Sequence, residues 1–162
     1  MKKLTIYIVL VFGLLAISIN AQTVDNLAPE ILEVNVSDDA VDVRTDSKTV
    51  FFTVRATDAI SGVSNVTLYV YPGSDYIIPL KLDRVWGDSN DGIYVGSVII
   101  RAGEISGRWT LLAIAAADAA GNIRDIRSNE FVQRGFATGF QVISNSLPPT
   151  LPPKNRKRMR PL

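Results

Sequence analysis

Between Thr49 and Ala56 the chain reads TVFFTVRA, and its side chains change sides at every residue. Val50, Phe52, Val54 and Ala56 share one face, while Phe51, Thr53 and Arg55 share the other. A period of two in β-branched and aromatic residues fits a half-buried strand; a helix would repeat its apolar positions every three to four residues. SNVTLYVY repeats the pattern, with Val66, Leu68 and Val70 inward and Thr67, Tyr69 and Tyr71 outward. Pro29 introduces ILEVNV, where Leu32, Val34 and Val36 alternate with Glu33 and Asn35, and AVDVRT is a shorter echo.

Turn chemistry separates these runs. PGSD precedes YIIPLKLDRV, in which Ile78, Leu80 and Leu82 share a face. Pro79 removes one ladder donor from that run and predicts a sheet edge. WGDSNDG leads into IYVGSVIIR, and GRWTLLAIAAAD places Trp109, Leu111, Ala113 and Ala115 at even spacing. AAGN, IRDI, the polar stretch RSNEFVQRG and a last strand TGFQVIS complete the series. No segment sustains a helical period with a cap at each end. The pattern predicts an all-β chain, an antiparallel β-sandwich of seven or eight strands.

The chain has no cysteine and no histidine. Disulfides, thiol nucleophiles, imidazole bases and the usual zinc ligand sets are therefore excluded, and packing alone must hold the fold. Lys2 and Lys3 precede a sixteen-residue apolar run, Leu4 to Ile19, and Ala21 offers a small cleavage residue. A membrane-spanning helix needs about 20 apolar residues, so this segment is expected to be a signal peptide cleaved after Ala21. Residues 22–150 carry ten basic and sixteen acidic side chains, a balance unsuited to nucleic acid.

Four phrases come in order: Asp58-Ala-Ile-Ser61-Gly62-Val63, Asp91-Gly92-Ile-Tyr94, Gly107-Arg-Trp109-Thr-Leu111 and Asp118-Ala-Ala-Gly121-Asn122. In these the chain resembles the bacterial immunoglobulin-like repeats of secreted and surface proteins, over about Pro29 to Asn145. The resemblance implies an immunoglobulin-like sandwich serving as a stalk, spacer, adhesin or accessory module. Such repeats usually stand in arrays or beside another domain; here there is one copy.

Asp58, Asp118 and Asn122 are the first candidate site. They would contribute to a calcium shell of six to eight oxygens if the two turns lay at one end of the fold. Asp and Asn before Gly equally serve turns, by accepting backbone N–H groups, and turn chemistry is the favoured expectation. Asp88-Ser-Asn90-Asp91-Gly92 misses the spacing of a calcium-binding loop, since Gly92 falls fifth and Ile99 occupies the twelfth position; it predicts a hairpin. Tyr69, Tyr71, Tyr76 and Trp86 form an aromatic cluster, either a platform for sugar rings or cover for their own sheet. Sequons occur at Asn35 and Asn65; the resemblance to bacterial repeats implies that they are chance occurrences.

The end of the chain changes composition. Pro148, Pro149, Pro152 and Pro153 fall within six residues and favour an extended spacer. Lys154, Arg156, Lys157, Arg158 and Arg160 follow, and suit anionic polymers or headgroups if they act at all. LPPT lacks the Gly of a sortase signal, having Leu151 instead.

The expected organisation is a signal peptide at 1–21, a short polar lead at 22–28, an immunoglobulin-like domain at 29–145 and a Pro-rich, basic tail at 146–162. The expected function is a non-catalytic secreted or cell-surface interaction module, with a carbohydrate- or calcium-binding accessory module as the alternative. No catalytic residue, cofactor or metal is assigned; the partner would be a protein or a surface polysaccharide. A glycosidase acting through paired carboxylates is the weakest reading.

Overall fold

The computed structural model describes residues 24–74 and 76–146. The expected signal peptide and all but the first residue of the basic tail lie outside them. Among the described residues the chain forms nine strands and one helix: β1 Glu30–Val36, β2 Ala40–Asp42, β3 Lys48–Thr57, β4 Val63–Tyr71, β5 Ile78–Gly87, β6 Asp91–Ile100, β7 Gly107–Asp118, β8 Ile123–Arg127, α1 Ser128–Arg134 and β9 Gly139–Ile143. The chain is all-β in class, with nine strands where seven or eight are expected and one helix that the alternation does not mark.

The strands hydrogen-bond in the order β1-β3-β6-β5-β4-β7-β9-β2, and β8 pairs with the far half of β7. All pairings are antiparallel except β2 with β9. The sheet curls on itself. Phe52 of β3 and Phe140 of β9 are far apart in the pairing order, yet their ring centroids lie 6.0 Å apart. Val50, Phe52, Val54 and Ala56 face Val66, Leu68, Val70, Trp109, Leu111 and Ile114 in one fully enclosed core. Each large aliphatic or aromatic group there contributes about 1.5–3 kcal/mol relative to exposure.

Two strand transfers shape the curl. The first half of β5, Ile78 to Leu82, pairs with β4, and its second half, Asp83 to Gly87, pairs with β6. Pro79 sits opposite Tyr69 in the half that has only β4 beside it, at the sheet margin that its missing N–H predicts. On the opposite margin the chain leaves β3's side after Val36 and joins β9 at Ala40, with only residues 37–39 between.

Bulges correct two expected faces. A shift between Ile31 and Glu33 turns Ile31 into the core and leaves Leu32 41% exposed. In β7, Tyr69 opposes Ala113 while Val70 opposes Leu111, so Leu112 is an extra residue. One inserted residue reverses the phase of everything after it. Trp109 and Leu111 point inward as expected, but thereafter Ile114 and Ala116 take the core, and Ala113 and Ala115 turn outward.

The polar stretch after β8 is a helix rather than a loop. Its N-cap, Arg127, makes no side-chain cap bond, and only Phe131 of α1 is buried, in edge contact with Phe136. Gly135 ends the helix at φ 71°, and the Phe136 N–H bonds the Phe131 carbonyl at 2.8 Å.

Candidate functional site

The turns at one end of the fold converge. Asp58 closes β3, and its Oδ1 accepts the N–H groups of Ile60, Ser61 and Gly62 at 3.2, 3.0 and 2.7 Å. Gly62 holds φ +79°, and a Cβ there would lie 2.7 Å from Ser89, so the β5–β6 turn packs directly on this one. Asp118 closes β7; its Oδ1 accepts the Asn122 N–H at 2.8 Å and its Oδ2 the Asn122 side-chain amide at 2.7 Å. The Ala119 N–H reaches the Gly62 carbonyl at 3.0 Å, which ties the two turns together.

A third carboxylate completes the group. Asp25, in the lead before β1, accepts the Leu27 N–H on Oδ1 at 3.0 Å and the Ser61 N–H on Oδ2 at 3.1 Å. The Asn122 amide also donates to the backbone carbonyls of Asp25 and Leu27, at 3.1 and 3.3 Å. Asp25, Asp58 and Asp118 each bring one carboxylate oxygen to within 4.8 Å of the others. They are 9%, 6% and 3% exposed. The ion pairs among the described residues join Arg44 to Asp42, Arg55 to Asp91, Arg127 to Asp125 and Arg134 to Glu130; none reaches this group. A polar cleft of about 750 Å³ opens beside it, lined in part by Asp25, Asn26, Ser61 and Asn122.

Burial opposes ionisation of Asp118, but the Asn122 side chain and the N–H groups of Asn122, Gly121 and Ala120 outweigh it and hold the carboxyl below the usual range. A lowered folded-state value stabilises the fold above the ordinary carboxylate pKa, and that stability is lost as pH falls through the folded value. Asp118→Asn is therefore expected to flatten the decline of the melting midpoint between about pH 5 and pH 2. An equally steep decline in the variant, measured by thermal melts across that range, would refute this.

The remaining candidates separate. Asp88 Oδ1 accepts the Asn90 and Asp91 N–H groups at 2.8 and 3.1 Å, inside the hairpin that joins β5 to β6. Asn35 and Asn65 lie within β1 and β4, opposite Thr53 and Ala117, rather than on loops.

The aromatic cluster divides in two. Trp86, 68% exposed, pairs with Ile93 in the second half of β5. The tyrosines lie beside β7 instead. Tyr69, Ile77, Leu112, Ala113, Ala115 and Ile123 line a groove of about 640 Å³, whose polar margin holds the Arg127–Asp125 pair at 2.9 Å. A hollow of about 360 Å³, lined by Tyr71, Tyr76, Ile77 and Leu112, extends it. The small floor at Ala113 and Ala115 exists because the Leu112 bulge turned those residues outward.

Asp58 and Asp118 are marked in the sequence by their Gly-containing turns, whereas nothing around Asp25 marks it as their neighbour. Trp86 parts from the tyrosines because β5 changes neighbours before it, which its sequence does not signal.

Fold and site together define an all-β domain with a polar, carboxylate-rich loop end and an aromatic groove on one face. Within that class, a family model for a domain of unknown function, DUF7743, matches residues 23–149, and the chain belongs to that family. No curated protein matches the chain.

Proposed function

We propose that the chain is a secreted, non-catalytic immunoglobulin-like β-sandwich that serves as a structural or interaction module at the cell surface or in the extracellular space. The observation that carries this reading is the strand order. With β1, β3, β6 and β5 taken as strands A, B, E and D, and β4, β7 and β9 as C, F and G, the order within each group supports an immunoglobulin-like reading, the β5–β4 pairing being an added link between the groups. β2 and β8 are then additions at the margins. The resemblance to bacterial immunoglobulin-like repeats supports it as well, since its four signature phrases fall at turns or strand starts.

Expression of the full chain in a bacterial host tests the address. Export with a new N-terminus at Gln22 is expected. Retention in the cytoplasm with residues 1–21 attached would overturn the secreted reading.

The second reading, a calcium- or carbohydrate-binding accessory module, is favoured by the three carboxylates, which converge without an ion-pair partner among the described residues. Their oxygens, with nearby backbone carbonyls, suit a hard cation such as calcium. Calcium at a hundred times its Kd would stabilise the fold by about 2.7 kcal/mol. The expected result is a higher melting midpoint in calcium than in chelator, abolished by Asp25→Asn or Asp58→Asn. An unchanged midpoint dismisses the reading.

A further inference from the structure

The outer face of β7 is the floor of a trough with two unlike walls. The ladders set Tyr69 of β4 and Arg127 of β8 on either side of Ala113, and Thr67 and Asp125 on either side of Ala115. The flanking strands are thus two strand spacings apart, about 9.5 Å, above a floor of methyl groups. One wall is aromatic and aliphatic: Tyr69 and Ile77, continued by Tyr71 and Tyr76 in the adjoining hollow. The other is polar and holds Asp125, Arg127, Ser128 and Asn129. Arg127 donates to Asp125 Oδ2 at 2.9 Å; the remaining guanidinium donors and Asp125 Oδ1 make no further hydrogen bond among the described residues.

This geometry selects its occupant. β7 is hydrogen-bonded to β4 on one side and to β8 on the other, so a peptide cannot add here as a strand. An acyl chain would strip Arg127 and Asp125 of water without replacing the lost bonds. A pyranose suits both walls. Its C–H groups form an apolar face that stacks on an aromatic ring. Its hydroxyl rim both donates and accepts, as a guanidinium beside a carboxylate requires. Charge narrows the class further. Arg127 and Asp125 cancel within the groove, and residues 22–150 carry sixteen acidic against ten basic side chains, which repels polyanions.

We propose that the groove over β7 binds a neutral pyranose polysaccharide, with Tyr69 as the stacking platform and Arg127 and Asp125 as the pair that reads its hydroxyls. The inference rests on the carbohydrate half of the second reading, to which it gives a site and a ligand class, and is independent of the calcium half.

The test runs the mature chain, residues 22–162, in native gels containing hydroxyethylcellulose, xyloglucan or galactomannan, with alginate as the acidic comparison. Retardation by at least one neutral polymer, and none by alginate, is expected. Tyr69→Ala should weaken binding about tenfold, as should Ala115→Arg, which fills the floor. Tyr76→Ala, at a half-exposed position, carries the test if thermal melts show that neither of those variants folds. Trp86→Ala, in the half of β5 that pairs with β6, should leave binding unchanged. Retardation that survives the groove variants, or that is lost with Trp86→Ala alone, would overturn the site and leave the carbohydrate reading standing. No retardation by any neutral polymer would sink both, and retardation by alginate alone would refute the neutral class.

Discussion

Trp109→Ala is expected to destabilise the fold by about 3–5 kcal/mol, lowering the melting midpoint by about 10–20 °C. Trp109 is 2% exposed, and its ring lies 5.6 Å from Phe140, its partner across the β7–β9 ladder. Phe140 in turn meets Phe52, so the indole is the first of three rings that bind the curled sheet to itself. Truncation leaves a cavity that the rigid ladder on either side cannot close. The indole N–H, however, is buried without a hydrogen-bond partner. Trp109→Phe keeps an aromatic ring and discards that unmatched donor, so its cost should be no more than about 1.5 kcal/mol. Urea unfolding of both variants with unchanged m-values is the measurement. Equal losses would show that the nitrogen, rather than ring packing, carries the site.

The second large effect concerns Gly139, where β9 begins. Its φ is +138°, and a Cβ added there would collide with the Trp109 carbonyl oxygen and crowd Thr110 Cα at 2.9 Å. Those atoms are ladder backbone and cannot rotate away. Gly139→Ala should cost at least about 3 kcal/mol, combining backbone strain with a displaced β7–β9 pairing. Gly103→Ala is the matched control. Gly103 also holds positive φ, at +77°, but has open space around it. Strain alone should cost about 1–2 kcal/mol there. If the two variants lose the same stability, by chemical denaturation under identical conditions, the close approach at Gly139 is refuted.

Strands were legible where alternation ran uninterrupted. Val50, Phe52, Val54 and Ala56, and Val66, Leu68 and Val70, face the core as their spacing predicts, because β3 pairs with β6 and β4 with β5 in steady register there. Legibility ended at the bulges. Nothing in TLLAIAAAD says that Leu112 will be unopposed, since the extra residue is defined only by the partner strand. The helix α1 escaped for a different reason. It has seven residues, one buried side chain and no side-chain cap, so tertiary contact at Phe131 outweighs a weak local signal. The carboxylate group was two-thirds visible. Asp58 and Asp118 announce themselves through Gly-containing turns, whereas Asp25 joins them only because the lead folds back over Ser61 and Asn122.

The transfers at β5 and at residues 37–39 have a wider consequence. A curled sheet joined only along one margin would open like a book, and many exported proteins prevent that with sulfur bridges. Here one margin shares a strand and the other is crossed by three residues of main chain. Peptide linkage does the stapling, so resistance to opening is indifferent to oxidants and reductants in the surroundings.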